Sequence, residues 1–217
     1  MKIYYPKKEH LYSIIMLHGM YCDNTSFDTL VSSILKKNQN VKIILPNAPI
    51  RDIDWPEGKE TDVNSWYNYF TCRDGELEHD TIDLTHYNSE CQKIKKLIEE
   101  EINYINYKNI VLLGESQGGT IVSKLATEIE KQIGGFILID TVFMDNIVIP
   151  SIKYPNIYIY SSEQDEVYRL ELQKNSVKNL YLENYIAEWY IDKGVLHSQY
   201  GPGRDIFILD TISKIFS

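Results

Sequence analysis

One serine stands among three glycines in the stretch Val111-Leu112-Leu113-Gly114-Glu115-Ser116-Gln117-Gly118-Gly119-Thr120-Ile121-Val122, with apolar residues on both sides. A turn serine that merely caps a helix would account for only one of those glycines. The Gly-x-Ser-x-Gly spacing between an apolar run and a helical pattern suits a sharp strand-to-helix elbow. Such an elbow lifts a serine hydroxyl above the carboxyl edge of a sheet. The helix that follows would direct free N–H groups and a partial positive charge at a developing oxyanion. Ser116 is therefore the expected nucleophile.

A serine hydroxyl stays inert until a base takes its proton, and the base must be held in place by a third group. In this arrangement the chain order is serine, acid, histidine. His197 is the only one of the five histidines that lies beyond Ser116, on a turn just after Gly194, and is the expected base. Asp140, Asp145, Asp165 and Asp192 compete for the acid. Asp165 is favoured because it follows an expected strand and precedes an expected helix, although the same place suits a helix N-cap. Asp140, at the end of the preceding strand, comes next. The second oxyanion donor should come from the loop after the first strand, Leu17-His18-Gly19-Met20-Tyr21, through the backbone N–H of Met20, paired with that of Gln117. His18 precedes the serine and is expected to hold that loop by hydrogen bonding. A histidine base with an ordinary pKa of about 6.5 predicts one ionisation in kcat/KM between about pH 6 and 7.5.

These residues need a scaffold. Short, near-continuous apolar runs predict buried strands at Tyr12–Leu17, Val41–Leu45, Asn109–Leu113, Gly135–Asp140, Asn156–Tyr160 and Ile186–Asp192. Helical periodicity covers Ser26–Lys37, Asn88–Ile105, Gln117–Gln132, Val167–Leu180 and Asp205–Phe216. In Cys91–Ile105, for example, Ile94, Leu97, Ile98 and Ile102 share a face. Strand and helix in alternation predict an α/β fold with a mostly parallel, doubly wound sheet. Residues 46–87 break the alternation as a long irregular insertion. Trp55, Trp66, Tyr67, Tyr69 and Phe70 argue against disorder there and for packing over the sheet near the site. With no repeat or linker in view, residues 1–217 are expected to form one domain.

Composition narrows the partners. Of the 217 residues 43% are hydrophobic and 24% charged, and the formal net charge is −9. Such an acidic chain is a poor nucleic-acid binder, and the pairs Lys7-Lys8 and Lys36-Lys37 read as solvated surface. No apolar run approaches the roughly 20 residues of a membrane span. The N-terminus lacks an apolar core followed by a cleavage site. Cys22, Cys72 and Cys91 show no Cys-x-x-Cys spacing, which favours a reducing, cytoplasmic setting over zinc or disulfides.

Five motifs in register carry a family resemblance. Leu17-His18-Gly19-Met20, Leu45-Pro46-Asn47-Ala48-Pro49-Ile50 with the later Ser65-Trp66-Tyr67, Gly114 to Gly119, Asp165-Glu166-Val167 and Leu196-His197-Ser198 occur in the order and spacing of one group. The chain resembles, over nearly its whole length, the acyl-protein thioesterase and small carboxylesterase family, the phospholipase/carboxylesterases of the α/β-hydrolase fold. The resemblance implies an α/β-hydrolase fold, a Ser116–Asp165–His197 triad, and oxyanion donors at Met20 and Gln117. It implies a serine hydrolase that cleaves carboxylic esters or thioesters of small molecules or acylated proteins, without metal or cofactor. A lysophospholipase, or a binding protein that keeps the fold without turnover, is the alternative. Tyr21, Trp66, Phe143 and Leu196 are expected to line an apolar acyl pocket, with Met20 and Met144, although the same residues would serve as core. Two departures stand out. Tyr21 replaces the second glycine of the family's His-Gly-x-Gly, and Asp165-Glu166-Val167 lacks the proline that usually follows.

Overall fold

The computed structural model describes residues 1–144, 156–178, 180 and 185–217. Seven strands form the main sheet in the order β1-β3-β2-β6-β7-β8-β9. They are β1 (Lys2–Tyr4), β2 (Tyr12–Leu17), β3 (Val41–Leu45), β6 (Ile110–Glu115), β7 (Gly135–Ile139), β8 (Ile157–Ser162) and β9 (Ile186–Asp192). β1 runs antiparallel to β3, and the other neighbours pair in parallel. A sheet covered on both faces demands apolar residues at successive positions, and β6 and β7 are buried at every residue.

The pleat sends alternate side chains to opposite faces. Ile15, Leu17 and Leu112 join the core under α2 (Leu84–Glu101) and α3 (Gln117–Glu128). Ile14, Met16, Val111 and Leu113 join the core under α1 (Asp28–Lys37) and α5 (Pro202–Ile215). A short α4 (Leu170–Ser176) follows β8. Register then places the site. Leu17 pairs with Gly114, Glu115 with Ile139, and Ile139 with Tyr160. The carboxyl ends of β2, β6, β7 and β8 therefore finish level, and their loops open on one edge.

The expected elements recur with shifted ends. α2 starts at Leu84 rather than near Asn88, because the Asp83 carboxylate caps the N–H groups of Thr85 and His86. α3 stops at Glu128, and α5 begins at Pro202, where proline suits a first turn. Within the insertion the expectation of irregular structure is corrected. β4 (Ile50–Trp55) and β5 (Gly58–Asn64) form an antiparallel hairpin with a bulge between Arg51 and Ile53.

The hairpin is tied down. Arg51 bonds Glu90 of α2 at 2.7 Å, and α2 is held to α3 by the Tyr87 hydroxyl, which donates to the carbonyl of Thr120 at 2.7 Å. The Gln117 side chain holds the segment after β5. Its oxygen accepts the Trp66 N–H at 2.8 Å, and its amide donates to the Ser65 hydroxyl at 2.8 Å and the Tyr67 carbonyl at 3.1 Å.

Candidate active site

Ser116 sits between β6 and α3 with φ 52° and ψ −121°. A non-glycine residue at positive φ is strained, typically by about 1–3 kcal/mol, and persists only where its surroundings fix it. Its N–H donates to the carbonyl of Ile139 at 2.9 Å, and its own carbonyl accepts from the Thr141 hydroxyl at 2.8 Å. The flanking glycines allow the crossing. A Cβ on Gly114 would lie 2.6 Å from the carbonyl oxygen of Gly118, and one on Gly118 would lie 2.5 Å from that of His18.

His197, in the loop after β9, reaches the serine. Its Nε2 lies 2.9 Å from the Ser116 Oγ, and its Nδ1 lies 2.8 Å from the Asp165 Oδ2. A carboxylate can only accept, so Nδ1 carries the hydrogen and Nε2 is left to accept the serine proton. The imidazole is buried, and burial alone lowers its basicity. The hydrogen bond and charge of Asp165, with the charges of Asp140 and Glu115, outweigh that and raise it above the ordinary value. The loop carrying His197 is also held by its backbone N–H, which donates to Glu166 Oε2 at 2.9 Å.

Among the competing acids, Asp165 alone of those described contacts the imidazole. Its Oδ1 accepts the N–H groups of Val167 and Tyr168 at 2.9 and 2.7 Å, which braces the turn ahead of α4; the helix N-cap itself is Arg169, not Asp165. Asp192 accepts the Tyr160 hydroxyl at 2.7 Å, while both oxygens of Asp140 accept from Ser162. Asp145 lies outside the described residues.

The loop after β2 crosses beside the serine, where a Cβ on Gly19 would sit 3.3 Å from that of Ser116. His18 braces it as expected. Its Nε2 accepts the Ala48 N–H at 3.1 Å, so Nδ1 donates to the carbonyl of Gly19 at 2.8 Å; burial keeps this ring neutral by lowering its basicity. Among the described residues, the backbone N–H groups of Met20 and Gln117 donate to no protein acceptor. Both residues line the cavity at Ser116.

That cavity has a volume of about 750 Å³. Ser116, His197, Met20, Gln117 and Tyr21 line it, but four of the residues expected in the pocket do not. Trp66 is buried beneath the loop after β2, with its indole N–H donating to the carbonyl of His18 at 2.8 Å and its ring 5.2 Å from the imidazole. Phe143 and the half-buried Met144 pack into the core, and Leu196, half-buried, neighbours the base without facing the cavity. The apolar wall comes instead from Trp55, Tyr69, Val167 and Tyr168. Carboxylates of Glu57, Glu60, Asp74 and Asp80 join it. Trp55 and Tyr69 lie in the insertion, whose aromatic content was the available signal.

Tyr21 takes φ 65° and is 60% exposed. Its hydroxyl donates to Glu60 Oε2 at 2.8 Å, which also accepts the Trp55 indole N–H at 2.9 Å. Burial, and then Glu60, push the phenol up to about 12. The chain keeps the backbone shape of a glycine here and fastens the ring to the hairpin.

Among the described residues, Asp140, Asp165 and His197 are the one group whose possible metal-ligating atoms fall within 4.8 Å of one another. Their donors and acceptors are already engaged with Ser162, with one another and with Ser116.

A family model described as phospholipase/carboxylesterase matches residues 1–200. Acyl-protein thioesterase 1 of Eremothecium gossypii is 28% identical over 134 residues, which are 58% of this chain and 52% of that protein. The chain thus spans about half the length of the curated relative it matches. The crystal structure of Arabidopsis thaliana SOBER1 superposes with a TM-score of 0.80 at 18% identity, covering 95% of this chain and 99% of that one. Acyl-protein thioesterase 2 of Zea mays gives 0.75 at 15%, covering 100% and 98%. At such identities the likeness shows the fold, an α/β-hydrolase.

Proposed function

The chain belongs to the phospholipase/carboxylesterase family, and from that premise we propose that it is a serine hydrolase cleaving carboxylic esters or thioesters through an acyl-enzyme. The observation that carries this reading is the continuous chain of contacts from Ser116 Oγ through His197 to Asp165, at 2.9 and 2.8 Å, opening on the cavity. Ser116 Oγ attacks the acyl carbon while His197 Nε2 takes its proton. Asp165 fixes the ring and offsets the imidazolium charge. The free N–H groups of Met20 and Gln117 receive the oxyanion; removing one such donor typically lowers the rate by about 10²–10³. His197 then protonates the departing alcohol or thiol. Water, deprotonated by the same nitrogen, cleaves the acyl-serine and returns the hydroxyl. No step calls for a metal or cofactor.

Substrates are small acylated molecules or acylated proteins, the latter because the matched relative is named an acyl-protein thioesterase. The free thiols of Cys22 and Cys72 fit a reducing, cytoplasmic compartment. The test is a panel of esters, thioesters and a lysophospholipid, read in the first turnover. A burst of product stoichiometric with enzyme, absent in Ser116→Ala, is the expected result. Activity retained by Ser116→Ala would overturn it.

A further inference from the structure

The site holds a second buried carboxylate that the mechanism above leaves without work. Asp140 follows β7 at φ 41° with no exposed surface. Its Oδ1 accepts the Ser162 N–H at 2.5 Å, and its Oδ2 accepts the Ser162 hydroxyl at 2.6 Å. One of its oxygens, one of Asp165 and a ring nitrogen of His197 lie within 4.8 Å of one another.

Two buried carboxylates at that separation repel. Donors decide which charge is better held. Asp165 accepts from the Val167 and Tyr168 N–H groups, from His197 Nδ1, and from Gln173 Nε2 at 3.2 Å. Among the described residues, Asp140 accepts from Ser162 alone. The Ser162 hydroxyl can also turn and accept, so a protonated Asp140 keeps a partner where a protonated Asp165 would lose several. Resting on the hydrolase reading above, we infer that Asp140 is a positioning residue for the base: its carboxyl, held only through Ser162 among the described residues, takes up and releases a proton beside His197, and its ionisation strengthens His197 as a base.

The surrounding charges agree with this division. Burial first, and the Asp165 charge second, push Asp140 up to about 7, against the Ser162 hydrogen bonds and His197, which lower it. From β6 the cluster faces Glu115, which is paired with Arg204 of α5 at 3.2 Å. From β8 come Ser162 and Tyr160, whose hydroxyl donates to Asp192, and from the loop after β9 comes Tyr200. Asp74 of the insertion and Glu166 reach the His197 side. Arg204 is thus the cation among these groups other than His197, and Glu115 and Asp205 hold it.

The experiment is the pH dependence of kcat/KM for the wild type, Asp140→Asn and Ser162→Ala, each first checked for fluorophosphonate labelling of Ser116 and for its melting temperature. The wild type should show two inflections, in place of the single one expected from the histidine alone. Asp140→Asn keeps an acceptor for the Ser162 N–H but cannot ionise. It should show one inflection, displaced to lower pH, with the alkaline plateau lowered less than about tenfold. Ser162→Ala withdraws a donor from the ionised carboxylate and should move the Asp140 inflection to higher pH. If Asp140→Asn does not fold, Ser162→Ala decides alone. Labelled enzyme whose profile neither variant changes overturns this inference. So does a loss of 10³ or more at every pH in Asp140→Asn while Asp165→Asn stays active, which would make Asp140 the acid itself. Wild-type protein that takes no label overturns the hydrolase reading together with this one.

Discussion

Asp165 serves two purposes with two oxygens, one capping the turn ahead of α4 and the other orienting His197. Asp165→Asn should therefore lower kcat by roughly 10⁴, by analogy with triad proteases in which the same change leaves the geometry but the wrong tautomer. Steady-state kinetics on one ester would check it, and a greater loss in Asp140→Asn would reverse the assignment. Tyr21 supports a second prediction. This left-handed residue, its hydroxyl fastened to Glu60, lines the cavity that holds Ser116. Tyr21→Gly fits the same backbone and removes the ring, so kcat/KM for long acyl chains should rise relative to short ones. A methylene in such a pocket is worth about 1–3 kcal/mol, large enough to see in an ester series. An unchanged chain-length profile would release Tyr21 from selectivity. The Ser116–His197–Asp165 contacts could be read from the sequence because an elbow, a lone later histidine and a carboxylate after a strand leave few alternatives. Trp66, Phe143 and Leu196 could not be placed, because an aromatic or aliphatic residue looks the same whether it lines a cavity or fills a core.

At the scale of elements, the insertion and the elbow are fastened to each other through one side chain. The Gln117 amide meets Ser65, Trp66 and Tyr67, all buried. Gln117→Ala would leave the Trp66 N–H without this partner, while the Tyr67 carbonyl keeps the Ser65 hydroxyl at 2.7 Å, and a buried unsatisfied group costs about 1–3 kcal/mol. Denaturant unfolding should show a loss of that order, and KM should rise more than kcat falls, because the substrate wall moves while the triad stays. Equal stability of the variant and wild type would mean that the hairpin is held elsewhere. The parallel strands were legible because burial on both faces writes an unbroken apolar run. β5, with the sequence Gly-Lys-Glu-Thr-Asp-Val-Asn, is exposed over most of its length and writes no apolar alternation, so pairing across the Gly58 turn is visible only in space. β1, three residues long at the sheet edge, is too short to leave a period.

For the whole molecule, the charge of −9 is not spread evenly around the reaction. Glu57, Glu60, Asp74 and Asp80 all line the cavity, and its one lysine, Lys59, is paired with Asp52 at 2.7 Å. Clefts of one sign focus the field on approaching substrates, and salt screens it. Among esters matched in acyl chain, an anionic leaving group should give the lowest kcat/KM, and the gap should close as ionic strength rises. A ranking insensitive to salt would assign the difference to fit rather than field. All of this rests on covalent chemistry at one hydroxyl, and a fluorophosphonate reports that directly. Intact-mass and peptide mass spectrometry should find one adduct per chain, on the peptide containing Ser116, and none on folded Ser116→Ala. An adduct on another residue, or no adduct on folded wild-type protein, would contradict the account.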